Sequence, residues 1–265
     1  MANERLSTSV SLMFREHPIL DRFAAARDAG FAGVEIQAID EADPHAMAER
    51  ARQAGVTAVL INVGMSDFRT GGPGLSGVPG QETAFREAVA GALEAAEALE
   101  ATFVHLGPSR VPADVTRERC LSVYRDNIGA AVELARDHRS VLLIEPLNTQ
   151  DVPDILLSSF DEAASLIADI GSPRLGLQFD IYHAAMNGID IPKTFLQFES
   201  LIRHVQFSDA PGRHEPGTGS VDFRDILGAI AESGYAGWIG AEYFPSKPTV
   251  DTLDWVPTFA RYFAS

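Results

Sequence analysis

Cysteine is almost absent from this sequence. The 265 residues contain a single cysteine, Cys120, so no disulfide can form within the chain. The residues around Cys120 show no spacing typical of a metal site, and their pattern predicts a helix. We therefore expect Cys120 to be an ordinary packed helix residue.

Long apolar runs are also missing. No uninterrupted apolar stretch approaches the length that a membrane helix needs, which is about 18 residues. The first nine residues have no apolar stretch of signal-peptide length. These absences predict a cytoplasmic protein with no membrane partner.

Positive charge is scarce as well. Lysine and arginine number 21 against 37 aspartates and glutamates, and the formal net charge is -16. Such a chain is not suited to nucleic acid or to an anionic membrane, because both require a basic surface. A small anionic substrate stays compatible, since a metal ion and a nearby arginine outweigh a screened net charge within about 10 Å. We expect a small-molecule substrate and leave a homo-oligomer open.

What the sequence does contain is a regular alternation of short strand-like runs and longer helical patterns. This alternation is typical of repeated βα units on a parallel sheet. The predicted strands cover residues 6–12, 34–37, 58–63, 103–106, 141–145, 175–180, 204–207 and 238–242. The predicted helices cover residues 19–29, 44–54, 82–99, 114–138, 159–170, 192–201, 222–232 and 251–263.

Eight such units predict the α/β class and a closed (β/α)8 TIM barrel. An open sheet with eight strands is the alternative, but the sequence has no glycine-rich dinucleotide fingerprint. We expect one domain over residues 1–265. The glycine-rich segment 69–80 lacks the Gly-Lys-Ser/Thr ending of a phosphate-binding loop, so it is predicted to be a long connection at the rim that could cover a substrate.

Four oxygen-bearing side chains lie at or just before the ends of the last four predicted strands. They are Glu145, Asp180, Gln206 and Glu242. If the strands are neighbours in a parallel barrel, these side chains converge, and three carboxylates close together require a cation between them. An all-oxygen ligand set favours Mg²⁺ or Mn²⁺ over zinc or copper.

Five further residues are candidates for substrate binding. Arg213 offers a bidentate fork for a carboxylate, although an ion pair with Glu215 is the alternative. His183 follows Asp180 by three residues and could contact the substrate or support Asp180. The other three candidates lie near predicted strand ends, where internal hydrogen bonding is the competing explanation: Glu35, Asn62 and His105.

Several segments resemble the signature motifs of hydroxypyruvate isomerases. The segments are Phe179-Asp-Ile-Tyr-His183, Gly212-Arg-His-Glu-Pro-Gly-Thr-Gly219, Gly234-Tyr-Ala-Gly-Trp-Ile-Gly-Ala-Glu-Tyr243, Glu145-Pro-Leu-Asn148 and Ser9-Val-Ser-Leu-Met-Phe14. The resemblance spans residues 6–260 and places the chain in the xylose-isomerase-like barrel superfamily. Two departures stand out: the family commonly has Tyr-Lys-Pro where this chain has Tyr243-Phe-Pro245, and often cysteine in place of Ala241.

The resemblance implies a metal bound by Glu145, Asp180, Gln206 and Glu242, with Glu145 and Glu242 as the proton-transferring pair. The implied reaction interconverts hydroxypyruvate and tartronate semialdehyde, or a related 2-oxo acid, through an enediolate. A hydride shift between the two carbons would use the same residues. The missing family lysine removes one cation for a substrate carboxylate.

Other functions on the same scaffold remain open at this point. A ketose 3-epimerase also uses two glutamates around a metal, but usually has histidine where this chain has Gln206. A 2-oxo-tetronate isomerase would act on a longer acid. A metal-dependent nuclease would require more histidines and a basic groove, and a barrel that only binds a metabolite would not need paired glutamates.

Overall fold

Eight parallel strands close into one barrel in the computed structural model, which describes residues 3–263. The strands pair in chain order and β1 pairs with β8, so the predicted (β/α)8 architecture is confirmed. Residues 1, 2, 264 and 265 of the predicted domain lie outside the described residues. The strands are β1 (Asn3–Ser9), β2 (Phe31–Ile36), β3 (Thr57–Asn62), β4 (Phe103–His105), β5 (Val141–Ile144), β6 (Leu175–Asp180), β7 (Ile202–Phe207) and β8 (Ile239–Ala241).

Helices surround the barrel and cover its outer face. Their ends follow local rules: Asp43 accepts a hydrogen bond from Ala46 N before Pro44 at the start of α2, and Gly55 ends that helix in the left-handed region at φ 68°. The helices are α1 (Arg22–Asp28), α2 (Pro44–Ala54), α3 (Glu82–Leu99), α4 (Arg117–Leu134), α5 (Phe160–Ile170), α6 (Ile181–Met186), α7 (Ile191–Phe198), α8 (Phe223–Ser233) and α9 (Val256–Phe263).

Most predicted boundaries differ from the structure by a few residues. The first strand ends at Ser9 instead of residue 12, because the chain turns there and Met13 N donates to Ser9 O. Helix α4 is shorter than the predicted 114–138. Helix α6 was not predicted; it begins directly after β6, where Asp180 accepts a hydrogen bond from Tyr182 N and so acts as its N-cap.

The interior of the barrel is layered. An apolar layer of Val59, Leu60, Phe103 and Leu143, packed against Trp238, fills the barrel. A polar group that includes Glu35, His204 and Gln206 occupies another part of the interior, also without solvent contact. Side chains at the carboxyl ends of the strands lie at the mouth, where the catalytic residues of such barrels are found. Within residues 3–263, none of the helices has the length and apolar character to cross a membrane.

Candidate active site

Three buried carboxylates meet at the carboxyl ends of the strands. Glu145 follows β5 directly, Asp180 is the last residue of β6, and Glu242 follows β8 directly. Their exposed fractions are 9%, 1% and 8%. Arg213, from the loop after β7, lies between two of them: its Nη2 is 2.7 Å from Glu242 Oε2 and 3.4 Å from Asp180 Oδ2. One guanidinium therefore faces three carboxylates in a poorly solvated pocket.

Burial raises the pKa of each carboxyl group, and repulsion from neighbouring carboxylates adds to the rise. Burial, followed by repulsion from Asp180 and Glu242, holds the pKa of Glu145 well above its usual value. Burial raises the pKa of Asp180 although Arg213 opposes it, and burial raises the pKa of Glu242 to about 7 against the same opposing effect. Arg213 therefore does not offset the cost of burying the three charged carboxylates.

The surroundings of Glu145 indicate where additional positive charge would fit. Glu145 Oε1 is buried and has no hydrogen-bond partner among the described residues, and Oε2 lies 3.5 Å from His105 Nε2. Glu145, Asp180 and His183 each offer a ligand atom, and these atoms lie within 4.8 Å of one another. An orphaned carboxylate oxygen beside a second carboxylate is the donor chemistry that a hard divalent cation prefers. These residues form a candidate metal group.

His183 is held by the segment that follows β5. Its Nδ1 accepts hydrogen bonds from Asn148 N at 3.2 Å and Asn148 Nδ2 at 2.8 Å, and its Nε2 lies 3.6 Å from Asp180 Oδ2. Since a backbone N–H can only donate, Nδ1 must be unprotonated. Burial, with Arg213 and His105 nearby, lowers the pKa of His183 well below its usual value, so the ring is neutral and carries its proton on Nε2.

Gln206 is next to Asp180 in the strand pairing of β6 and β7, but both ends of its amide are engaged. Its Nε2 donates to Glu35 Oε2 at 2.7 Å, and its Oε1 accepts from Gln178 Nε2 at 2.6 Å. The amide is fully buried. An amide oxygen has two lone pairs and Gln178 uses one of them, so the predicted ligand role of Gln206 stays a prediction.

Arg213 is placed by a tightly hydrogen-bonded loop. The side chain of Asp209 accepts from the backbone N–H groups of Gly217 and Val221, and Arg213 N donates to Asp209 O. The alternative pairing of Arg213 with Glu215 is wrong: Glu215 instead accepts hydrogen bonds from Ser246 N, at 3.1 Å, and from its hydroxyl. Arg213 therefore reaches inward to the carboxylates.

The remaining three predicted residues occupy different positions. Asn62 and His105 face each other in the β3–β4 register and line the cavity at the mouth. Asn62 Oδ1 and His105 Nδ1 have no partners among the described residues, and burial lowers the pKa of His105 to about 4. Glu35 is fully buried, has all its oxygens hydrogen-bonded and is not among the residues lining this cavity.

The cavity at the mouth has a volume of about 610 Å³, which is in the range typical of small-molecule sites. Glu145, His183 and Arg213 line it, and Phe244 lies at its rim. Asp151 also lines it and accepts a hydrogen bond from Tyr182 Oη at 2.5 Å.

Three residues near the site were not singled out from the sequence: Asn148, Asp151 and Gln178. Gln178 carried a usable signal, since it is two residues before Asp180 and so faces the same side of β6. Asn148 is the last residue of the motif Glu145-Pro-Leu-Asn148, whereas Asp151 belongs to no motif or strand end that would predict a role.

The predicted long loop, residues 69–80, is tied to the connection that follows β4. Arg110 Nη1 donates to Gly72 O at 2.7 Å, and Arg110 N donates to Pro73 O at 2.9 Å. Gly77 N donates to Ser109 Oγ at 2.9 Å. Arg69, the first residue of the segment, lines the cavity, and residues 70–80 are not among its lining residues. A covering movement of this loop stays a prediction.

Comparison with known proteins identifies relatives that cover nearly the whole chain. The sequence model of the xylose isomerase-like TIM barrel family matches residues 23–259. A 2-oxo-tetronate isomerase of Cupriavidus necator is 35% identical over 96% of this chain and 98% of its own length. A hydroxypyruvate isomerase of Escherichia coli is 32% identical over 96% of this chain and 99% of its own length. The crystal structure of AP endonuclease, family 2, from Brucella melitensis superposes with a TM-score of 0.91 at 31% identity, over 96% of this chain and 98% of that one.

Proposed function

The chain belongs to the xylose isomerase-like TIM barrel family and is an isomerase, and from this premise we propose that it interconverts hydroxypyruvate and tartronate semialdehyde or a closely related 2-oxo acid. The observation that supports this proposal is the buried group of Glu145, Asp180 and Glu242 around Arg213. It combines groups that move a proton with a group that binds a carboxylate.

The residues present fit a divalent cation. Glu145 and Asp180 offer ligand atoms within 4.8 Å of each other, and we infer that Glu242 and Gln206 Oε1 would complete the set, whose oxygen atoms favour Mg²⁺ or Mn²⁺. His183 is not chosen as a ligand, because the nitrogen that faces Asp180 carries a proton. When bound, such a cation supplies electron withdrawal from a carbonyl and its neighbouring hydroxyl and so acidifies the C–H bond between them.

Glu145 and Glu242 are proposed as the pair that moves the proton. One carboxylate removes it from the carbon next to the carbonyl, which leaves an enediolate, and the other returns a proton to the adjacent carbon. Without a bound cation, burial raises the pKa of Glu242 to about 7, above that of an exposed glutamate.

Arg213 and His183 are proposed to orient the substrate. The guanidinium offers two parallel N–H donors for the substrate carboxylate, and its placement against Glu242 and Asp180 keeps it at the mouth. The Nε2–H of His183 can donate to a substrate oxygen, since Asn148 fixes this tautomer. Asn62 and His105 also line the cavity, where His105 Nε2 lies 3.5 Å from Glu145 Oε2, and both are proposed to contact substrate oxygens.

The cavity volume favours a second, closely related substrate. A space of about 610 Å³ far exceeds the size of a three-carbon acid. A four-carbon 2-oxo acid, as named for the relative from Cupriavidus necator, would fill more of it. Because the same atoms react in both substrates, the proposed roles of Glu145 and Glu242 do not change.

The proposal is tested by turnover of a panel of compounds. Purified protein with Mn²⁺ is incubated with hydroxypyruvate, a 2-oxo-tetronate and a ketohexose, and the products are followed by NMR. We expect isomerised product from one of the two acids at more than ten times the rate with the ketohexose. Epimerised ketose as the main product, or no turnover of either acid, would overturn the proposal.

Replacing Arg213 by lysine is expected to raise KM for the 2-oxo acid by about 10- to 100-fold. Lysine keeps a positive charge near Asp180 and Glu242 but replaces the planar fork by a point charge, and a charge-assisted hydrogen bond is worth about 1.5–3 kcal/mol. Steady-state kinetics measure the change. The control is Arg117→Lys, which alters an ion pair with Glu162 on the outer helices; an unchanged KM in Arg213→Lys would contradict the assigned role.

A further inference from the structure

The carboxylate of Glu35 lies inside the barrel and is surrounded by hydrogen-bond donors. Its Oε1 accepts from Ser7 Oγ at 2.6 Å and lies 2.9 Å from His204 Nε2. Its Oε2 accepts from Gln206 Nε2 at 2.7 Å and from Gln37 Nε2 at 3.4 Å. An ionised carboxylate only accepts hydrogen bonds, which matches this ring of donors.

The barrel provides a specific space for this carboxylate. Glu35 is 0% exposed, and a Cβ atom at position 240 would overlap its Oε1. Glycine at position 240 therefore lets the carboxylate lie directly against the backbone of β8, a strand that does not pair with β2. A charged group built so closely into the interior is stable only while all its donors stay in place.

Glu35 determines which way the Gln206 amide points. A carboxylate oxygen faces the amide at 2.7 Å, so the NH2 group of Gln206 must be on that side and its oxygen on the other. On that other side Gln178 Nε2 donates to Gln206 Oε1 at 2.6 Å. The two amides thus form a hydrogen-bonded chain that runs from Glu35 to Gln178, which lines the cavity at the mouth.

We propose that Glu35 is a positioning residue that presents the oxygen of Gln206 to the cation held by Glu145, Asp180 and Glu242. The inference rests on the proposed function, since it concerns the same metal site. Without the negative charge at position 35, the amide of Gln206 can rotate and present its NH2 group, which repels a cation. Glu35 acts through Gln206 and does not touch the substrate.

The test is the affinity of the protein for Mn²⁺ after replacement of Glu35 by glutamine. The full chain is stripped with a chelator, and free Mn²⁺ is measured by electron paramagnetic resonance during titration. We expect the Kd of Glu35→Gln to rise by about 10- to 100-fold, as is usual when a partner of a metal ligand is lost. Glu162→Gln makes the same chemical change in an outer ion pair and is expected to bind Mn²⁺ like the wild type.

A role in stability alone gives a different result. It would lower the melting temperature of the metal-free variant and leave the Kd for Mn²⁺ unchanged, which would overturn the inference. If Glu35→Gln does not fold, Glu35→Asp keeps the charge but withdraws it from Gln206, and we expect a several-fold higher Kd with a nearly unchanged melting temperature. An unchanged Kd in that variant would equally overturn the inference.

A second substitution shows whether the effect passes through Gln206. In the double variant Glu35→Gln with Gln206→Glu, the new amide can donate to the new carboxylate, so we expect tighter Mn²⁺ binding than in Glu35→Gln alone. Binding no tighter than in the single variant would overturn the inference. Absence of Mn²⁺ binding by the wild type would instead reject the metal site of the proposed function, and the positioning role with it.

Discussion

Glu242→Gln is expected to lower kcat by about a thousandfold, within the hundred- to ten-thousandfold that general acid–base catalysis contributes. Glutamine keeps the shape of the side chain, and its amide oxygen can still accept from Arg213 Nη2, which lies 2.7 Å from Glu242 Oε2. The amide cannot take up or return a proton. Activity should therefore fall in kcat while the protein stays folded, and turnover kinetics with a circular dichroism spectrum measure both.

Glu145→Gln is expected to lower kcat by a similar factor, because it removes the other group of the proton-transferring pair. The control is Glu162→Gln on the outer surface, which should keep wild-type kcat. Two measurements can contradict the assignment: the kcat of the two glutamine variants and the deuterium content of product formed by the wild type in D2O. Retained activity in either glutamine variant would reject that residue's role, and product without solvent deuterium would replace proton transfer by a hydride shift.

The barrel was predictable from sequence because its strands are buried on both faces. All six residues of β6 are buried, and such runs appear in the sequence as short apolar segments that alternate with amphipathic helices. Since carboxyl ends of parallel strands meet at one rim, the residues at those ends could be grouped as well. Glu145, Asp180 and Glu242 were brought together by this argument alone, and their role as metal ligands stays a proposal.

Side-chain partners were less predictable, because they depend on contacts between loops that are distant in sequence. The pairing of Arg213 with Glu242 and Asp180 joins the loop after β7 to the ends of β8 and β6. The hydrogen bond of Asn148 to His183 likewise spans 35 residues. The spacing of residues within a helix or strand does not predict such contacts between distant loops.

Asp180 and Glu35 show why sequence position alone does not determine the role of a side chain. Asp180 was predicted as a metal ligand, and in the structure its Oδ1 caps α6 while its Oδ2 faces Arg213. Glu35 was predicted to bind substrate from its place near a strand end. A strand alternates its side chains, but the sequence does not reveal how deep in the barrel each one lies, and Glu35 lies below the cavity.

Removal of divalent metal is expected to abolish turnover and leave the fold intact. Metal-free protein retains Arg213 as a counter-charge for Asp180 and Glu242, which limits their repulsion. Arg213 cannot both fulfil that function and hold the substrate carboxylate, and it withdraws no electrons from a carbonyl. We expect activity below detection after treatment with a chelator, and recovery when Mn²⁺ or Mg²⁺ is added in excess.

Metal should also stabilise the folded protein, since it relieves the repulsion among buried carboxylates. At a metal concentration 100 times the Kd, the gain in unfolding free energy is about 2.7 kcal/mol, which corresponds to a rise of roughly 5 °C in melting temperature. Asp180→Asn is the matched control, because asparagine can still cap α6 through Tyr182 N but removes one ligand charge. This variant should melt like the metal-free wild type and gain little from added metal. Full turnover in the presence of chelator, or an equal rise in melting temperature for Asp180→Asn, would show that the carboxylates at the mouth do not bind the cation.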